Sequence, residues 1–323
     1  MSWERDRIVF LDAGTVDYGD LPLSLFEKLG DFKAYPQSTP AQIKPRLKAV
    51  SIAIANKCRF DRRLIGGLSS LRLLNIAATG VNNVDLEAAR AKGLAVTNVK
   101  GYSTETVVQF TFSFLLALAG NLVKYNAAAH DGSWSRSRFF TYGKYPIQEV
   151  AGKKLGIVGY GAIGRRVAQV ARALGMKVLV AAIPGKKYTA AEKKTRVPFD
   201  RMIRESDFVT IHAPLTDLTR GLIHKGVLNK MKKGTCLLNM ARGGIVDEPA
   251  LRKALESGRL AGAASDVLTE EPPSPGHVLL KAPNLILTPH IAWASREARA
   301  RLVREIAANI RAFQAGRVLN RVA

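Results

Sequence analysis

The chain has 323 residues, of which 47% are apolar and 23% are charged. Two lobes are expected, because this length exceeds what one core comfortably serves and the ordinary composition excludes long disordered tails. The two cysteines, Cys58 and Cys236, exclude a disulfide framework and are not spaced as a metal site, so we expect a cytoplasmic protein with no metal.

The formal net charge is +23. Such a charge is typical of proteins that bind nucleic acid, since Lys and Arg release counterions from phosphate backbones. The basic residues are scattered along the chain rather than gathered in one arm with interleaved aromatics. We therefore interpret them as a solvated surface that steers anionic ligands, and expect no specific nucleic-acid partner. Nonspecific nucleic-acid binding is the alternative.

No membrane partner is expected. The segment Met1–Phe10 alternates charged and apolar residues and has no continuous hydrophobic core, so no secretory signal is predicted. The most apolar stretch, Phe110–Ala119, is about half the length of a membrane-spanning helix. A buried helix is the better interpretation.

The first third of the chain reads as a strand, a helix and a strand, followed by further βα units. The predicted strands are Ile8–Leu11, Val50–Ala55, Leu71–Ala77 and Leu94–Val99, and the predicted helices are Leu23–Leu29, Asp85–Lys92 and Ser103–Ala119. The segment Asn126–Tyr145 follows, rich in Gly, Ser, aromatic and charged residues. It is predicted to be an excursion from the core that serves as a packing or dimer-contact loop.

A more regular alternation of strands and helices begins at Leu155 and predicts a doubly wound parallel sheet with right-handed crossovers. Its six predicted strands are Leu155–Val158, Lys177–Ala181, Phe208–His212, Cys236–Asn239, Gly262–Ser265 and Leu285–Thr288, and its clearest helices are Ile163–Leu174 and Pro249–Ser257. The last helix, Ser295–Phe313, has no strand after it and is expected to return to the first lobe. The predicted domains are residues 1–100, 101–292 and 293–323, the last rejoining the first.

A glycine-rich turn follows the apolar run at Leu155 and opens a helix, which is the context of the dinucleotide-binding fingerprint. Its residues are Gly159, Tyr160, Gly161, Ala162, Ile163 and Gly164. In that fingerprint the first glycine permits the tight turn, the second the close approach of a pyrophosphate, and the third the packing of helix on strand. The turn predicts a dinucleotide cofactor bound at the start of the helix.

The next predicted strand ends at Ala181 and Ala182, where a carboxylate would usually hold the ribose 2′-OH of NAD. No carboxylate is present there, and Lys186 and Lys187 follow. This pattern favours NADP(H) or use of both cofactors. The alternative is that the lysines are ordinary surface residues and NAD binds through its other contacts.

Three residues suited to carbonyl reduction each follow a short apolar run, where loops at the carboxyl ends of parallel strands surround one crevice. His290 is the candidate acid, because histidine titrates near neutrality. Glu271 is placed to hydrogen-bond the imidazole and stabilise its protonated form, with Glu270 as the alternative. Arg242 offers a planar fork for a carboxylate. Together they indicate a dehydrogenase that acts on a 2-oxo or 2-hydroxy acid.

Several motifs, in this order along the chain, resemble the D-isomer-specific 2-hydroxyacid dehydrogenase family over nearly the full length. Besides the glycine turn they are His212-Ala213-Pro214-Leu215-Thr216, Asn239-Met240-Ala241-Arg242-Gly243-Gly244, Asp266-Val267 with Glu271-Pro272, and Pro289-His290. The segments Ala78–Asp85, Gly101–Thr104 and His290–Ser295 resemble the glycerate dehydrogenase and hydroxypyruvate reductase branch most closely. Members of this branch often carry an acid where this chain has Ala182.

The resemblance implies two doubly wound parallel-sheet domains, one of Rossmann type for the nucleotide and a discontinuous flavodoxin-like one for the substrate. It also implies a homodimer built largely through the nucleotide domains. Arg242, Glu271 and His290 would be catalytic, and Ala78, Thr79, Gly80, Arg242 and Trp293 would bind substrate, with a packing role the alternative for Trp293. The implied cofactor contacts are Gly159, Gly161, Ala162, Ile163, Gly164, Ala182, Lys186, His212, Ala213, Pro214, Met240, Ala241, Asp266 and His290.

The expected activity is NAD(P)-dependent reduction of a small 2-oxo acid, hydroxypyruvate or glyoxylate first, to the D-hydroxy acid. Two alternatives remain open at this point. One is a dinucleotide-sensing protein that resembles corepressors of this fold, to which the net charge of +23 lends weight. The other is a phosphite-oxidising dehydrogenase of the same fold.

Overall fold

The computed structural model describes residues 5–323. The chain divides into two compact units, the first formed by Met1–Ser103 with Trp293–Ala323 and the second by Thr104–Ala292. The first four residues of Met1–Phe10, on which the signal-sequence expectation partly rests, lie outside the described residues. Which unit binds which ligand remains a prediction at this stage.

The strands are β1 (Arg7–Phe10), β2 (Asp31–Ala34), β3 (Ile52–Ala55), β4 (Leu73–Ile76), β5 (Ala95–Thr97), β6 (Lys154–Val158), β7 (Lys177–Ala182), β8 (Val197–Pro198), β9 (Phe208–Ile211), β10 (Thr235–Asn239), β11 (Leu260–Ser265) and β12 (Leu285–Leu287). The α-helices are α1 (Pro40–Arg46), α2 (Arg62–Gly66), α3 (Leu86–Lys92), α4 (Thr104–Ala119), α5 (Leu122–His130), α6 (Ala162–Ala173), α7 (Ala190–Lys194), α8 (Phe199–Glu205), α9 (Lys225–Lys230), α10 (Glu248–Glu256) and α11 (Arg296–Gln314). Two 3₁₀ helices cover Ala13–Thr15 and Leu23–Phe26.

The first unit is built on a parallel sheet with the strand order β2-β1-β3-β4-β5, which is the flavodoxin-like order. Its central strand β3 is buried at every position. Successive side chains point to opposite faces, so Ala53 and Ala55 pack with Ile43 of α1, while Ile52 and Ile54 pack beneath α11. The return of α11 therefore completes the core of this unit.

The second unit is built on a parallel sheet with the order β12-β11-β10-β9-β6-β7-β8. This is the Rossmann order with one additional strand, β12, at its edge. The direction of winding reverses between β6 and β9, and ligands of such sheets bind outside the carboxyl ends of the strands at that reversal. The prediction of two doubly wound α/β domains is confirmed.

Several predictions for the first unit are wrong. The expected helix Leu23–Leu29 is a single 3₁₀ turn, Leu23–Phe26. The expected strand-helix-strand opening omits β2 and the short helices α1 and α2. Strand β2 lies at the sheet edge and is largely exposed, and helices of five to seven residues are too short to show a hydrophobic period.

Two predictions for the second unit also need correction. The segment Asn126–Tyr145 is not wholly an excursion, because its first five residues belong to α5. Ala128 is the buried residue of that helix, so no apolar stripe marked it in the sequence. The sheet has seven strands rather than six, since the two-residue edge strand β8 carries too little pattern to detect.

In residues 5–323 we find no individual helix with the length and apolar character needed to cross a membrane. The helices α4 and α5, which meet at 63°, satisfy that test only as a bent pair and only by length and composition.

Candidate active site

The glycine turn after β6 requires glycine at two of its three positions for reasons within the fold. Gly159 has φ +97°, and a Cβ there would lie 2.6 Å from the backbone of His212 and Ala213. A Cβ on Gly164 would collide with the carbonyl oxygen of Gly159. Gly161 differs, because its Cβ would meet no atom within 4 Å. The fold does not need glycine at 161, whereas a closely approaching pyrophosphate does.

The turn leads into the N-terminus of α6, a helix of 12 residues. Gly161 is its N-cap and supplies no side-chain acceptor, and no acidic residue lies in the first turn. The first N–H groups and the positive end of the helix dipole therefore remain available to an anion. Gly161 and Ala162 are exposed and Ile163 is half-buried, which fits a surface against which a dinucleotide lies.

His212 follows β9 and lies against the glycine turn. Its N–H donates to the carbonyl of Val158 at 2.7 Å, and its Nε2 is 2.9 Å from Thr210 Oγ1. The Nδ1 atom is buried and has no hydrogen-bond partner among the described residues. Burial lowers the pKa of His212 to about 3, so this imidazole stays neutral at physiological pH. Ala213 is buried and Pro214 is exposed.

Ala182 ends β7, and the chain beyond it carries a cation over an aromatic ring. The N–H of Ile183 donates to Tyr188 Oη at 2.8 Å, which fixes the tyrosine beside the strand end. Lys186 Nζ lies 5.5 Å from the centre of the Tyr188 ring. This segment therefore presents positive charge where the sequence lacks the usual acid.

Sequence reasoning missed a second cation in this region, Arg196. Its guanidinium lies 4.5 Å from the Tyr188 ring centre and 6.0 Å from that of Tyr160 in the glycine turn. It also pairs with Glu192 at 3.6 Å, and only 9% of its side chain is exposed. Arg196 follows the glycine turn by more than 30 residues, so no local pattern connects the two segments.

The turn after β10 presents Arg242. Asn239 brackets this turn, because its Nδ2 donates to the Arg242 carbonyl at 2.9 Å and its Oδ1 accepts from the Ala241 N–H at 3.2 Å. A Cβ on Gly243 would collide with the carbonyl of Leu268, so the loops after β10 and β11 are in direct contact.

The Arg242 side chain is half-buried, and its Nη1 donates to the Ala241 carbonyl at 2.7 Å. It forms no ion pair with any residue in the range 5–323. A cation without a carboxylate partner suits the binding of an anionic ligand. The neighbouring Met240 and Ala241 are buried.

His290 and Glu271 form a close polar pair in the site. The His290 Nδ1 atom lies 2.6 Å from Glu271 Oε2, and the other carboxylate oxygen accepts from the Leu268 N–H at 2.9 Å. An ionised carboxylate only accepts, so Nδ1 carries the proton of this bond. Nε2 is then the ring atom that exchanges a proton with a ligand, and it has no partner among the described residues.

Asp266 holds the turn that carries His290, a role that sequence reasoning did not foresee. Its buried carboxylate accepts from Thr288 Oγ1 at 2.6 Å and from the N–H groups of Ile291 and Ala292 at 2.8 and 2.9 Å. Burial raises the pKa of Asp266, against the effect of these hydrogen bonds. His290 itself has φ +55°, a conformation that the surrounding bonds stabilise. The predicted direct contact of Asp266 with the cofactor remains a prediction.

A second histidine–glutamate pair, also unforeseen, fixes the loop that bears Glu271. Glu248 accepts from the Thr269 N–H at 2.7 Å and lies 3.2 Å from His277 Nε2. His277 Nδ1 accepts from the Leu279 N–H at 3.3 Å, so this imidazole donates through Nε2. Both side chains are about nine-tenths buried, which suits a structural role.

The remaining predicted substrate residues belong to the first unit. Ala78, Thr79 and Gly80 follow β4 in a loop, and Trp293 packs against Tyr102 with ring centres 6.1 Å apart. The Trp293 contact shows a packing role, and substrate binding by these four residues remains a prediction. Within residues 5–323 there is no cluster of three or more His, Cys, Asp or Glu side chains placed to hold a metal ion.

The family model described as D-isomer specific 2-hydroxyacid dehydrogenase, NAD binding domain, matches residues 112–292, all of which lie in the second unit. The glycerate dehydrogenase of Methylorubrum extorquens is 39% identical over 317 residues, which cover 97% of this chain and 98% of the relative. The hydroxypyruvate reductase of Blautia hydrogenotrophica is 35% identical over 319 residues, which cover 97% and 98%.

Solved structures show the same architecture. The D-lactate dehydrogenase from Aquifex aeolicus, complexed with NAD and lactic acid, has a TM-score of 0.83 and 26% sequence identity to this chain, covering 96% of each chain. The similarity therefore extends over both units rather than over the glycine turn alone.

The neutral imidazole of His212, whose Nδ1 atom is buried, predicts a pH-dependent stability. The unfolded chain takes up a proton near pH 6.5 that the folded chain resists until about pH 3, so the fold loses stability as pH falls through this window. His212→Gln should reduce the slope of unfolding free energy against pH by up to about 1.4 kcal/mol per pH unit. Denaturant titrations at several pH values measure this slope, and parallel curves for wild type and variant would contradict the prediction.

The open space at Gly161 predicts a separation of folding from cofactor binding. Gly161→Ala should fold normally, because the added methyl group meets no protein atom, but should bind NADH and NADPH roughly tenfold or more weakly. Fluorescence titration of the reduced cofactors measures the affinity. Gly66→Ala is the control, since it also adds a methyl group to open space, and equal affinities for the two variants would exclude a pyrophosphate at Gly161.

Proposed function

Because the chain belongs to the D-isomer-specific 2-hydroxyacid dehydrogenase family, we propose that it reduces hydroxypyruvate or glyoxylate to the corresponding hydroxy acid. Family membership makes it an oxidoreductase that uses a nicotinamide cofactor, as the sequence resemblance predicted. The observation that carries the proposal is the 2.6 Å pair of His290 and Glu271, in which Glu271 belongs to the loop after β11 that contacts the Arg242 turn. The named relatives favour this branch over a different acid.

The glycine turn and the uncapped start of α6 fit a dinucleotide, as the bare backbone at Gly161 indicates. When bound, the nicotinamide supplies the hydride that is added to the carbonyl carbon. His290 donates a proton through Nε2 to the carbonyl oxygen, so that hydride and proton together convert the 2-oxo acid into the 2-hydroxy acid. Glu271 orients the ring and stabilises its charged form before the transfer.

Arg242 binds the substrate and stabilises the negative charge that develops on the carbonyl oxygen. Its lack of a carboxylate partner among the described residues leaves the guanidinium free for this role. The bracket of hydrogen bonds from Asn239 holds the turn, so the arginine needs little reorganisation when substrate arrives.

We further propose a preference for NADPH over NADH. Ala182 offers no carboxylate to repel a 2′-phosphate, and Lys186 and Arg196 supply positive charge near the end of β7. Glu192 partly offsets the charge of Arg196. The preference therefore depends chiefly on Lys186.

Neither alternative function is favoured by the relatives. The glycerate dehydrogenase and the hydroxypyruvate reductase are named as enzymes of hydroxy or oxo acids, and neither is named as an interaction protein or a phosphite-oxidising enzyme. The intact set of Arg242, Glu271 and His290 also supports catalysis.

A second copy of the chain is the proposed partner, in the cytoplasm. Apolar side chains are unusually exposed near α5 and the segment after it, including Leu122 at 63%, Phe139 at 76% and Phe140 at 90%. A cavity of about 500 Å³ lies beside the start of α5, lined by Leu118, Val123 and others. Exposed apolar side chains of this size mark protein interfaces, and a second copy of the chain is the simplest partner for them.

The proposed activity predicts oxidation of NADPH or NADH, followed at 340 nm, when hydroxypyruvate, glyoxylate or pyruvate is added. His290→Ala should lower turnover by roughly 10²–10⁴, as expected for loss of a general acid. The ratio of rates with NADPH and NADH reports the cofactor preference in the same experiment.

Arg242→Ala provides the contrast in this assay. It should raise KM as well as lower kcat, because it removes binding in addition to charge stabilisation. Full turnover by the His290 variant would reject the proton-transfer assignment, and no cofactor oxidation with any acid would reject the proposed substrates.

The exposed aromatic pair predicts the assembly. Wild type should have about twice the chain mass of 35.1 kDa by light scattering, and the double variant Phe139→Asp with Phe140→Asp should be monomeric, because two buried charges would oppose association. Leu280→Ser, which alters a residue 44% exposed elsewhere in the same unit, is the control. A wild-type monomer would argue against this interface.

A further inference from the structure

In the loop after β4, two successive carbonyl groups accept hydrogen bonds from residues that follow β5. The N–H of Val99 donates to the Ala78 carbonyl at 3.1 Å, and Asn98 Nδ2 donates to the Thr79 carbonyl at 2.7 Å. The Thr79 hydroxyl also donates to the Val99 carbonyl at 2.8 Å. The two bonds to the carbonyl groups define the orientation of two consecutive peptide planes, and the hydroxyl bond further ties the loop to Val99.

The orientation of the carbonyls determines that of the N–H groups. In a planar trans peptide the C=O and N–H point in opposite directions, so the N–H groups of Thr79 and Gly80 point away from Val99 and Asn98. Neither N–H has an acceptor among residues 5–323. Thr79 is exposed and Gly80 is half-buried, so an external anion can reach them. Two adjacent N–H donors that point in the same direction form a binding site for a carboxylate.

The backbone of Asn98 is hydrogen-bonded to two other asparagines. Its carbonyl accepts from Asn309 Nδ2 at 3.1 Å, and its N–H donates to the Asn320 carbonyl at 3.2 Å. Asn309 and Asn320 are joined by a further bond of 2.9 Å. Asn98 is 2% exposed and Asn309 is fully buried on α11, so this chain of amides connects the interior of the unit to the Thr79 loop.

We propose that Asn98 is a positioning residue that aligns the Thr79 and Gly80 N–H groups to bind the carboxylate of the substrate. The inference rests on the proposed function, since it takes the ligand to be a 2-oxo acid. The Asn98 Oδ1 atom has no partner among the described residues. The Asn98 side chain therefore makes one hydrogen bond, to the Thr79 carbonyl. Its replacement by Ala removes that bond, and no N–H or O–H group that formerly donated to Asn98 Oδ1 is left without an acceptor.

Asn98→Ala tests this role, and Asn75→Ala is the matched control. Asn75 lies on the neighbouring strand β4, is fully buried, and has no hydrogen-bond partner for its amide among the described residues. Asn98→Ala should raise both the KM for hydroxypyruvate and the inhibition constant of oxamate, a 2-oxo acid analogue, by roughly five- to tenfold. The dissociation constant of NADPH should not change in Asn98→Ala. Asn75→Ala should alter neither the KM for hydroxypyruvate nor the inhibition constant of oxamate.

A merely structural role would give a different result, because it would lower kcat and thermal stability while leaving KM and oxamate inhibition unchanged. That result in an active enzyme would overturn the inference and leave the proposed function intact. Absence of both turnover and oxamate binding in the wild type would instead overturn the proposed function and the inference with it.

A crystal structure of the wild-type protein with NADPH and oxamate decides the matter if Asn98→Ala does not fold. The inference expects the oxamate carboxylate within about 3.2 Å of the Thr79 and Gly80 nitrogen atoms. A carboxylate bound away from these two atoms would overturn it.

Discussion

Parallel pairing is the constraint on which the second unit depends. Because every strand of its sheet runs in the same direction, the loops after β6, β9, β10, β11 and β12 all leave from one edge. The glycine turn, Arg242, Glu271 and His290 come from four of these loops, although they are far apart in sequence. Packing between the loops then sets their separations, as the close approach of Gly243 to Leu268 shows.

Buried carboxylates and amides, rather than further apolar packing, give these loops their shape. Asp266 accepts three hydrogen bonds and holds the backbone around His290, while Glu248 and Asn239 do the same for the loops of Glu271 and Arg242. In the first unit Asn98 acts in the same way on the Thr79 carbonyl. Loops held by such bonds need little reorganisation when a ligand binds, which favours catalysis.

The surface combines two properties with different consequences. A net charge of +23 keeps copies of the chain apart over long distances and attracts anionic ligands. The exposed apolar side chains of Phe139 and Phe140 are the surface on which the proposed association of two copies rests. At roughly 0.1 M salt, electrostatic interactions between surface charges are screened beyond about 10 Å, whereas apolar contact is not. The proposed association and the attraction of anionic ligands should therefore respond differently to ionic strength.

The sequence by itself determined the fold class, the turn at Gly159 and the three residues suited to carbonyl reduction, because each is a local pattern of hydrophobic period or of residue type at a strand end. Elements without such a pattern, such as α1, α2 and the edge strands β2 and β8, were not predicted from the sequence. Only the tertiary structure decided that Nδ1 of His290 faces Glu271, that Asp266 holds the backbone 25 residues away at Ile291, and that Arg196 lies over Tyr160. These are contacts between distant segments, and their geometry depends on how the loops pack against one another.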